Sequence, residues 1–274
     1  VFWKNMKEPD GSWKPRTVKE ERSARYPIEL TDSLFEFKNY PKTIFEEIKD
    51  SPLNDKKEYV YSDLSFILYP QVVKRLTKQN FEDYLKTTFY NPLGASTLTF
   101  NPLRYYSLNR IPPTEYDSLF RKTLVWGHVH DETAAMLDGV SGHAGLFGSS
   151  NDLTKLITMY LQKGYYGGQQ FISSNTVNEF TRYQFPELGN RRGIGFDKPS
   201  FKYTGNAPLS ASKESYGHSG FTGTFFWVDP TYNLTYVFLC NRVYPTRNNS
   251  QLGELNTRTN VAEALYQAVK RGIR

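Results

Sequence analysis

The chain has 274 residues, 38% of them hydrophobic, with 34 lysines and arginines against 28 aspartates and glutamates for a net charge of +6. That is enough apolar material for a substantial core, in one large domain or a domain with a subdomain. The basic residues are interleaved with acidic ones rather than gathered into an arm, which argues against nucleic acid as a partner and leaves a mildly basic, solvated surface that could meet an anionic polymer such as a cell wall.

No apolar run of about 18 residues is present to span a bilayer, and no signal peptide is readable at the start. The chain opens on Val1 without an initiator methionine, so the reading expects a processed or truncated piece of something longer. One cysteine, Cys240, lies in the apolar run "YVFLCN"; it excludes an internal disulfide and reads as a small buried residue.

In chain order, residues 1–58 are polar and proline-punctuated, and only "TIFEEIKD" has a helical look, so this part is expected to be loop-rich. From Tyr61 the texture changes. Leu64, Ile67, Leu68 and Val72 recur at helical spacing, with Asp63 placed to cap the start and Pro70 to bend the middle. A second helix, "NFEDYLKTTF", is expected from Asn80 to the turn "NPLG", followed by an irregular stretch over 101–148. Ser149 or Ser150 caps a strong helix whose face is Leu153, Leu156, Ile157, Tyr160 and Leu161, ended by Gly164. "SSNTVNEFTRY" is a shorter one. "GTFFWVD" and "LTYVFLCN", joined by "PTYN", read as a β-hairpin covered on both faces. A last helix carries the stripe Val261, Ala264, Leu265, Ala268 and Val269 before Gly272. The division expected is a loop-rich 1–58, a mainly helical 59–200, and a sheet hairpin with a C-terminal helix over 201–274, all within one domain.

Ser219, in "SYGHSGFTGTFFWVDP", has the look of a nucleophile elbow. Gly217 fits the spacing, but Phe221 stands where the second glycine is needed, and the segment that follows reads as a strand rather than a helix. The serine therefore needs another explanation. Tyr61-Ser62-Asp63 lies where an irregular stretch gives way to a helix, and His218-Ser219-Gly220 opens a strand; 154 residues lie between the two triplets.

In this order the triplets resemble the second and third motifs of the penicillin-recognising serine hydrolases, the family of class C β-lactamases, D,D-carboxypeptidases, D-amino peptidases and related esterases. The blocks "YSDLSFILYPQVVKRL", "VHDETAAMLDGVSGHAGLF" and "GHSGFTGTFFWVDP" extend the resemblance over about Tyr59 to Val269. It implies an α+β fold, a mainly antiparallel sheet flanked by helices with an all-helical region, here missing its N-terminal part. It also implies hydrolysis through an acyl-enzyme, with D-amino-acid peptides, cell-wall muropeptides, β-lactams or esters as substrates. By the same resemblance Tyr61 shuttles protons and Asp63 takes the place of the usual asparagine, accepting but not donating hydrogen bonds. His218 stands for the usual lysine, so any carboxylate recognition there should fade as pH rises, or else the natural substrate is an ester or amide lacking that carboxylate. Ser219 and Gly220 contact substrate, and the Phe221 N–H forms half an oxyanion hole.

The family's nucleophile lies in a Ser-x-x-Lys at a helix start upstream of the tyrosine motif. No such motif precedes Tyr61. The single match in the chain, Ser210 to Lys213, is in a polar loop and reads as chance. The nucleophile segment is expected to precede Val1, which makes that missing segment a partner and this chain inactive alone. A non-catalytic cell-wall peptide-binding module is the rival reading. "HVHDE", His128 to Glu132, with His143 nearby, lacks a third ligand at telling spacing; a structural loop is preferred, a zinc hydrolase is a distant third, and no metal or organic cofactor is expected. Arg242 and Arg247 could meet a substrate carboxylate, with ordinary surface arginines favoured. Bacterial periplasm or cell envelope is the implied location.

Overall fold

The computed structural model describes residues 2–56, 58–200 and 205–272. They fall into two compact units, the first made of Val1–Lys86, Thr99–Phe147 and Tyr244–Thr246, the second of Thr87–Leu98, Gly148–Val243 and Arg247–Arg274.

The first unit starts with a small antiparallel sheet in the part expected to be loop. Strands β1 (Val18–Lys19), β2 (Ile28–Thr31) and β3 (Leu34–Glu36) pair in the order β1-β3-β2. They escape a periodicity search because they are short and because β3 is buried at every position, which erases the in-out alternation. Helix α1 (Tyr40–Lys49) contains the expected "TIFEEIK", with Ile44 and Ile48 buried one turn apart. In α2 (Leu64–Thr77), Ile67 is buried and Leu64 and Leu68 pack on the same core. Val72 does not join them: it is 45% exposed, on the same open side as Leu76. Helix α3 (Phe81–Leu85) follows Asn80, and the next turn, Lys86–Tyr90, is π-helical.

Besides two 3-10 turns, Pro102–Arg104 and Leu108–Arg110, the stretch expected to be irregular holds the paired strands β4 (Glu115–Asp117) and β5 (Thr123–Val125) and helix α4 (Glu132–Met136). Asp131 caps α4, accepting from the Ala134 N–H at 2.7 Å. Met6, Leu30, Ile44, Phe120, Ala134 and Met136 make the core of this unit. Trp3 and Trp13 both pack on Phe120, with ring centroids 5.5 and 5.9 Å away, so the polar opening segment is pinned by its aromatics.

In the second unit, α5 (Ser150–Leu161) is capped by the Ser149 hydroxyl, which accepts from Asp152 N–H at 3.3 Å. Gly164 follows at φ 89°, where a side chain would lie 1.9 Å from the Ile172 carbonyl, so only glycine turns the chain there. A two-residue hairpin pair, β6 (Tyr165–Tyr166) and β7 (Gln169–Gln170), leads to α6 (Ser174–Thr181). Strands β8 (Tyr216–Ser219), β9 (Phe225–Asp229) and β10 (Leu234–Phe238) form an antiparallel sheet in the order β10-β9-β8. Alternation along β9 serves two layers. Phe225 and Trp227 pack with Tyr236, Ala262 and Tyr266, whereas Phe226 and Val228 pack with Tyr216, Ile157 and Leu153 of α5.

The chain then forms α7 (Gln251–Glu254) and α8 (Thr257–Lys270). The helix expected at the end is present, but its apolar stripe is not what it buries. Val261, Leu265 and Val269 are 41%, 38% and 37% exposed, and the buried residues are Ala262 and Tyr266. The physical reason is polar: the Tyr266 hydroxyl donates to the buried Asp229 carboxylate at 2.6 Å, and Glu263 accepts from the Ser210 N–H and hydroxyl at 2.8 and 2.6 Å. Those bonds orient α8, and the small Ala262 lets it approach the sheet.

Candidate functional site

Tyr61 and Asp63 belong to the first unit. Tyr61 is 59% exposed in the irregular segment leading into α2, as the triplet's position suggested. Asp63 stands at the residue before α2, yet its carboxylate does not cap the helix. Its backbone carbonyl accepts from Ile67 N–H at 2.9 Å, and the Ser62 hydroxyl accepts from Leu64 N–H at 3.2 Å. The exposed carboxylate is thereby left for other work. The loop after α4 packs against this helix. A side chain at Gly142 would lie 2.3 Å from the Phe66 carbonyl of α2, so glycine permits that approach.

In that loop Ser141 Oγ lies 2.8 Å from His143 Nδ1, and His143 Nε2 lies 2.8 Å from Asp131, the residue that caps α4. The histidines of the "HVHDE" block do not gather on one centre. His128 meets Asp32 at 3.0 Å and Glu29 at 3.7 Å, His130 meets the buried Glu115 at 2.7 Å, and His143 meets Asp131. His128, Glu29 and Asp32 offer ligand atoms within 4.8 Å of one another, but Asp32 is 81% exposed and the imidazole already pairs with it. The block is thus a set of separate His–carboxylate latches. Arg121 fixes the backbone between the first two: its buried guanidinium pairs with Asp117 at 2.9 Å and donates to the carbonyls of Val129, at 2.8 Å, and His130. That guanidinium and three backbone N–H donors hold the Asp117 carboxyl down at about 2 despite its burial.

His218, Ser219, Gly220 and Phe221 belong to the second unit and run from the end of β8 into the turn before β9. The strand fits there because Gly217 has no side chain: a Cβ would lie 2.2 Å from the Phe226 carbonyl and 2.3 Å from the Trp227 ring. The turn closes with Gly220 N–H donating to the Thr224 carbonyl at 2.8 Å. The segment continues into strand β9 rather than into the helix that a nucleophile elbow needs.

Around it is a polar network that the sequence reading missed. Arg192 Nη2 lies 2.9 Å from His218 Nε2, and His218 Nδ1 lies 3.0 Å from the Ser219 carbonyl. Arg192 also pairs with Asp197, which is 2% exposed and takes a second ion pair from Arg191 at 3.0 Å. Asn206 closes the ring, its amide donating to Asp197 at 3.2 Å and to Ser219 Oγ at 3.0 Å. Asp197 is fixed by backbone as well, its N–H and carbonyl bonding Gly217 at 2.7 and 3.0 Å. Next to it the buried Lys198 donates to the Ser215 carbonyl at 3.0 Å, and burial pushes its ammonium down to about 8. The one signal for this network was the charged run "RRGIGFDK", broken by Gly193 and Gly195.

Phe221 is 59% exposed, and Arg242 stacks on its ring at 4.5 Å. Arg242 donates to the carbonyls of Phe221, Arg247 and Asn249 at 2.9, 3.0 and 2.7 Å, so it clamps the exit loop rather than standing as a surface cation. Ser210 is likewise committed, bonding Glu263 from a non-helical turn, with Lys213 exposed. It lacks the helix start that a Ser-x-x-Lys nucleophile needs.

With this geometry in place, the likenesses to known proteins can be set beside it. The family model described as Beta-lactamase matches residues 21–259. A provisionally named D-alanyl-D-alanine carboxypeptidase of Salmonella enteritidis is 33% identical over 226 residues, which is 75% of this chain and 51% of that protein. Its counterpart in Salmonella schwarzengrund is 34% identical over the same shares. The chain spans about half the length of these curated relatives. Among solved structures, unliganded simvastatin synthase from Aspergillus terreus matches with a TM-score of 0.57 at 16% identity, over 95% of this chain and 73% of that one. A beta-lactamase from Mycobacterium bovis matches at 0.52 and 20%, over 76% and 65%. The octameric penicillin-binding protein homologue from Pyrococcus abyssi gives 0.53 and 18%, over 81% and 49%. The likenesses to solved structures carry the fold, α+β and of the β-lactamase and penicillin-binding-protein kind.

Proposed function

Because the chain belongs to the Beta-lactamase family, we propose that it is part of a serine hydrolase working through an acyl-enzyme. Its substrates are D-amino-acid peptides and cell-wall muropeptides, with β-lactams and esters as further acceptors of the same attack. The nucleophile is assigned to sequence outside these 274 residues, since their one Ser-x-x-Lys is spent on positioning α8. This chain alone is therefore proposed to be inactive.

In the reaction, the serine oxygen bonds to the substrate's carbonyl carbon while its proton passes to a base. The bond to the leaving amine or alcohol breaks as that group receives a proton, and water then repeats the sequence on the ester to free the acid. Tyr61 is the residue assigned to carry those protons. Asp63, exposed beside it, orients a cation by accepting its hydrogen bonds. His218 and Ser219 line the acyl site, Gly220 shapes the turn, and the Phe221 N–H meets the developing oxyanion.

The observation that carries this reading is the network behind the third motif: a buried carboxylate, two arginines and an amide spent on fixing His218 and Ser219. Polar groups held so tightly at a half-buried strand end are costly unless the site uses their orientation. The names of the Salmonella relatives support a D-alanyl-D-alanine-type peptide as substrate, and a place in the bacterial cell envelope follows from that substrate.

The test is a substrate panel on the full-length protein: a peptide ending in D-Ala-D-Ala, a chromogenic cephalosporin and a nitrophenyl ester. Expected is release of D-alanine, lowered on the order of 100-fold or more by Tyr61→Phe, the scale of a lost acid–base group. Peptide binding without turnover of any substrate would instead support a non-catalytic cell-wall peptide-binding module.

A further inference from the structure

The third motif replaces a lysine, a permanent cation, by His218, which titrates near neutrality in the ordinary case. From sequence alone the charge of this site should therefore fade as pH rises. The geometry argues otherwise. His218 Nε2 faces an arginine Nη2 at 2.9 Å, and a guanidinium can only donate. The hydrogen bond exists only if Nε2 is an unprotonated acceptor. Nδ1 then carries the ring's one proton and donates it to the Ser219 carbonyl at 3.0 Å.

Protonating the ring would set two N–H donors against each other and bring a second positive charge against the first. Among the described residues, the charged groups in its surroundings are Arg192 and Asp197, Arg191 paired to the same Asp197, the buried Lys198 next to it in the chain, Arg258 of α8, whose Nη1 lies 3.5 Å from the Gly220 carbonyl, and Arg242 on Phe221. Asp197 is the one carboxylate of this set, and it is taken up by both Arg191 and Arg192 and by Asn206. The balance is positive.

We infer that Arg192 is a positioning residue that keeps His218 neutral in the Nδ1–H form, so that the guanidinium, not the imidazole, supplies a pH-independent positive charge at the third motif. Its consequence for the reaction rests on the serine hydrolase reading above. His218 is then an orienting group that locks the Ser219 backbone, not a general acid. The Ser219 hydroxyl, accepting from Asn206, keeps its own proton for substrate.

The test is histidine C2-hydrogen exchange on the full-length protein, read by mass spectrometry of the peptide containing His218 across pH 4–9. Expected in the wild type is a protonation midpoint for His218 below the ordinary histidine range. Arg192→Gln should return it toward that range and raise the protonated fraction at pH 6 several-fold, whereas Arg192→Lys, which keeps charge and donor, should leave it low. Arg191→Gln, which spares the contact to the ring, should change it little. A fold loss in Arg192→Gln would show as faster exchange across the whole unit, and the wild-type and Arg192→Lys midpoints would still decide the matter. A wild-type midpoint at or above about 6.5, or an Arg192→Gln midpoint equal to that of the wild type, would overturn the inference. Failure to turn over any substrate would count against the hydrolase reading and leave this result intact.

Discussion

Glu36 gives the sharpest stability prediction. It ends β3 with 0% exposure, and neither carboxyl oxygen has a hydrogen-bond partner among the described residues. Burial, with a smaller contribution from the Asp138 carboxylate, pushes its pKa from 4.5 to about 9. The folded protein therefore holds a proton that the unfolded chain has already released between those two values. Stability from this group is complete below pH 4.5, falls as pH rises through the window, and levels off above about 9. At about 1.4 kcal/mol per pH unit, moving from pH 5 to pH 8 should cost on the order of 4 kcal/mol, a large share of a typical domain's stability. Glu36→Gln is neutral throughout and should flatten that decline, leaving the variant the more stable of the two at pH 8. Urea unfolding at half-unit steps of pH measures both curves. Parallel curves for wild type and variant would refute the reasoning.

Three further predictions rest on the same structure. Arg121→Ala strands the buried Asp117 carboxylate and should destabilise the first unit by about 3–5 kcal/mol. Conversely, the wild type should lose about 2 kcal/mol as pH falls from 3.8 through the Asp117 value of about 2; thermal unfolding against pH reads both. Ser210→Ala should leave turnover by the full-length protein unchanged while loosening α8, seen as faster amide exchange over residues 257–270. A collapse of activity with α8 intact would return Ser210 to the catalytic candidates.

How much could be read in advance depended on the kind of signal. The helices beginning near Leu64, Ser150, Ser174 and Thr257 and the β9–β10 hairpin were legible from periodicity and caps. The small sheet of β1–β3 was not, because strands of two to four residues are too short to show alternation and β3 is buried at every position. For α8 the period was right and the face was wrong: hydrophobicity marked Val261 and Leu265, while the hydrogen bonds of Tyr266 and Glu263 decided which side meets the sheet. Asp63 shows the same limit, an N-cap residue type whose cap bond is made by Ser62 instead.

At the candidate site the motif residues were legible as triplets. Their supports were not, since Arg192 and Asn206 reach His218 and Ser219 through folding across 26 and 13 positions, with Asp197 bonding both of them. The histidine block was legible only as a structural loop. The partners of His128 and His130 come from β2, the turn after it and β4, elements that the periodicity does not reveal.

Intact-mass measurement of the full-length protein after exposure to a β-lactam or an alkyl fluorophosphonate addresses the acyl-enzyme most directly. One added reagent mass per chain is expected, localised to a serine outside residues 1–274 and formed far more slowly when Tyr61 is changed to Phe. An unmodified full-length protein under conditions that label a known serine hydrolase to completion, or a label on Ser210 or Ser219, would contradict the account.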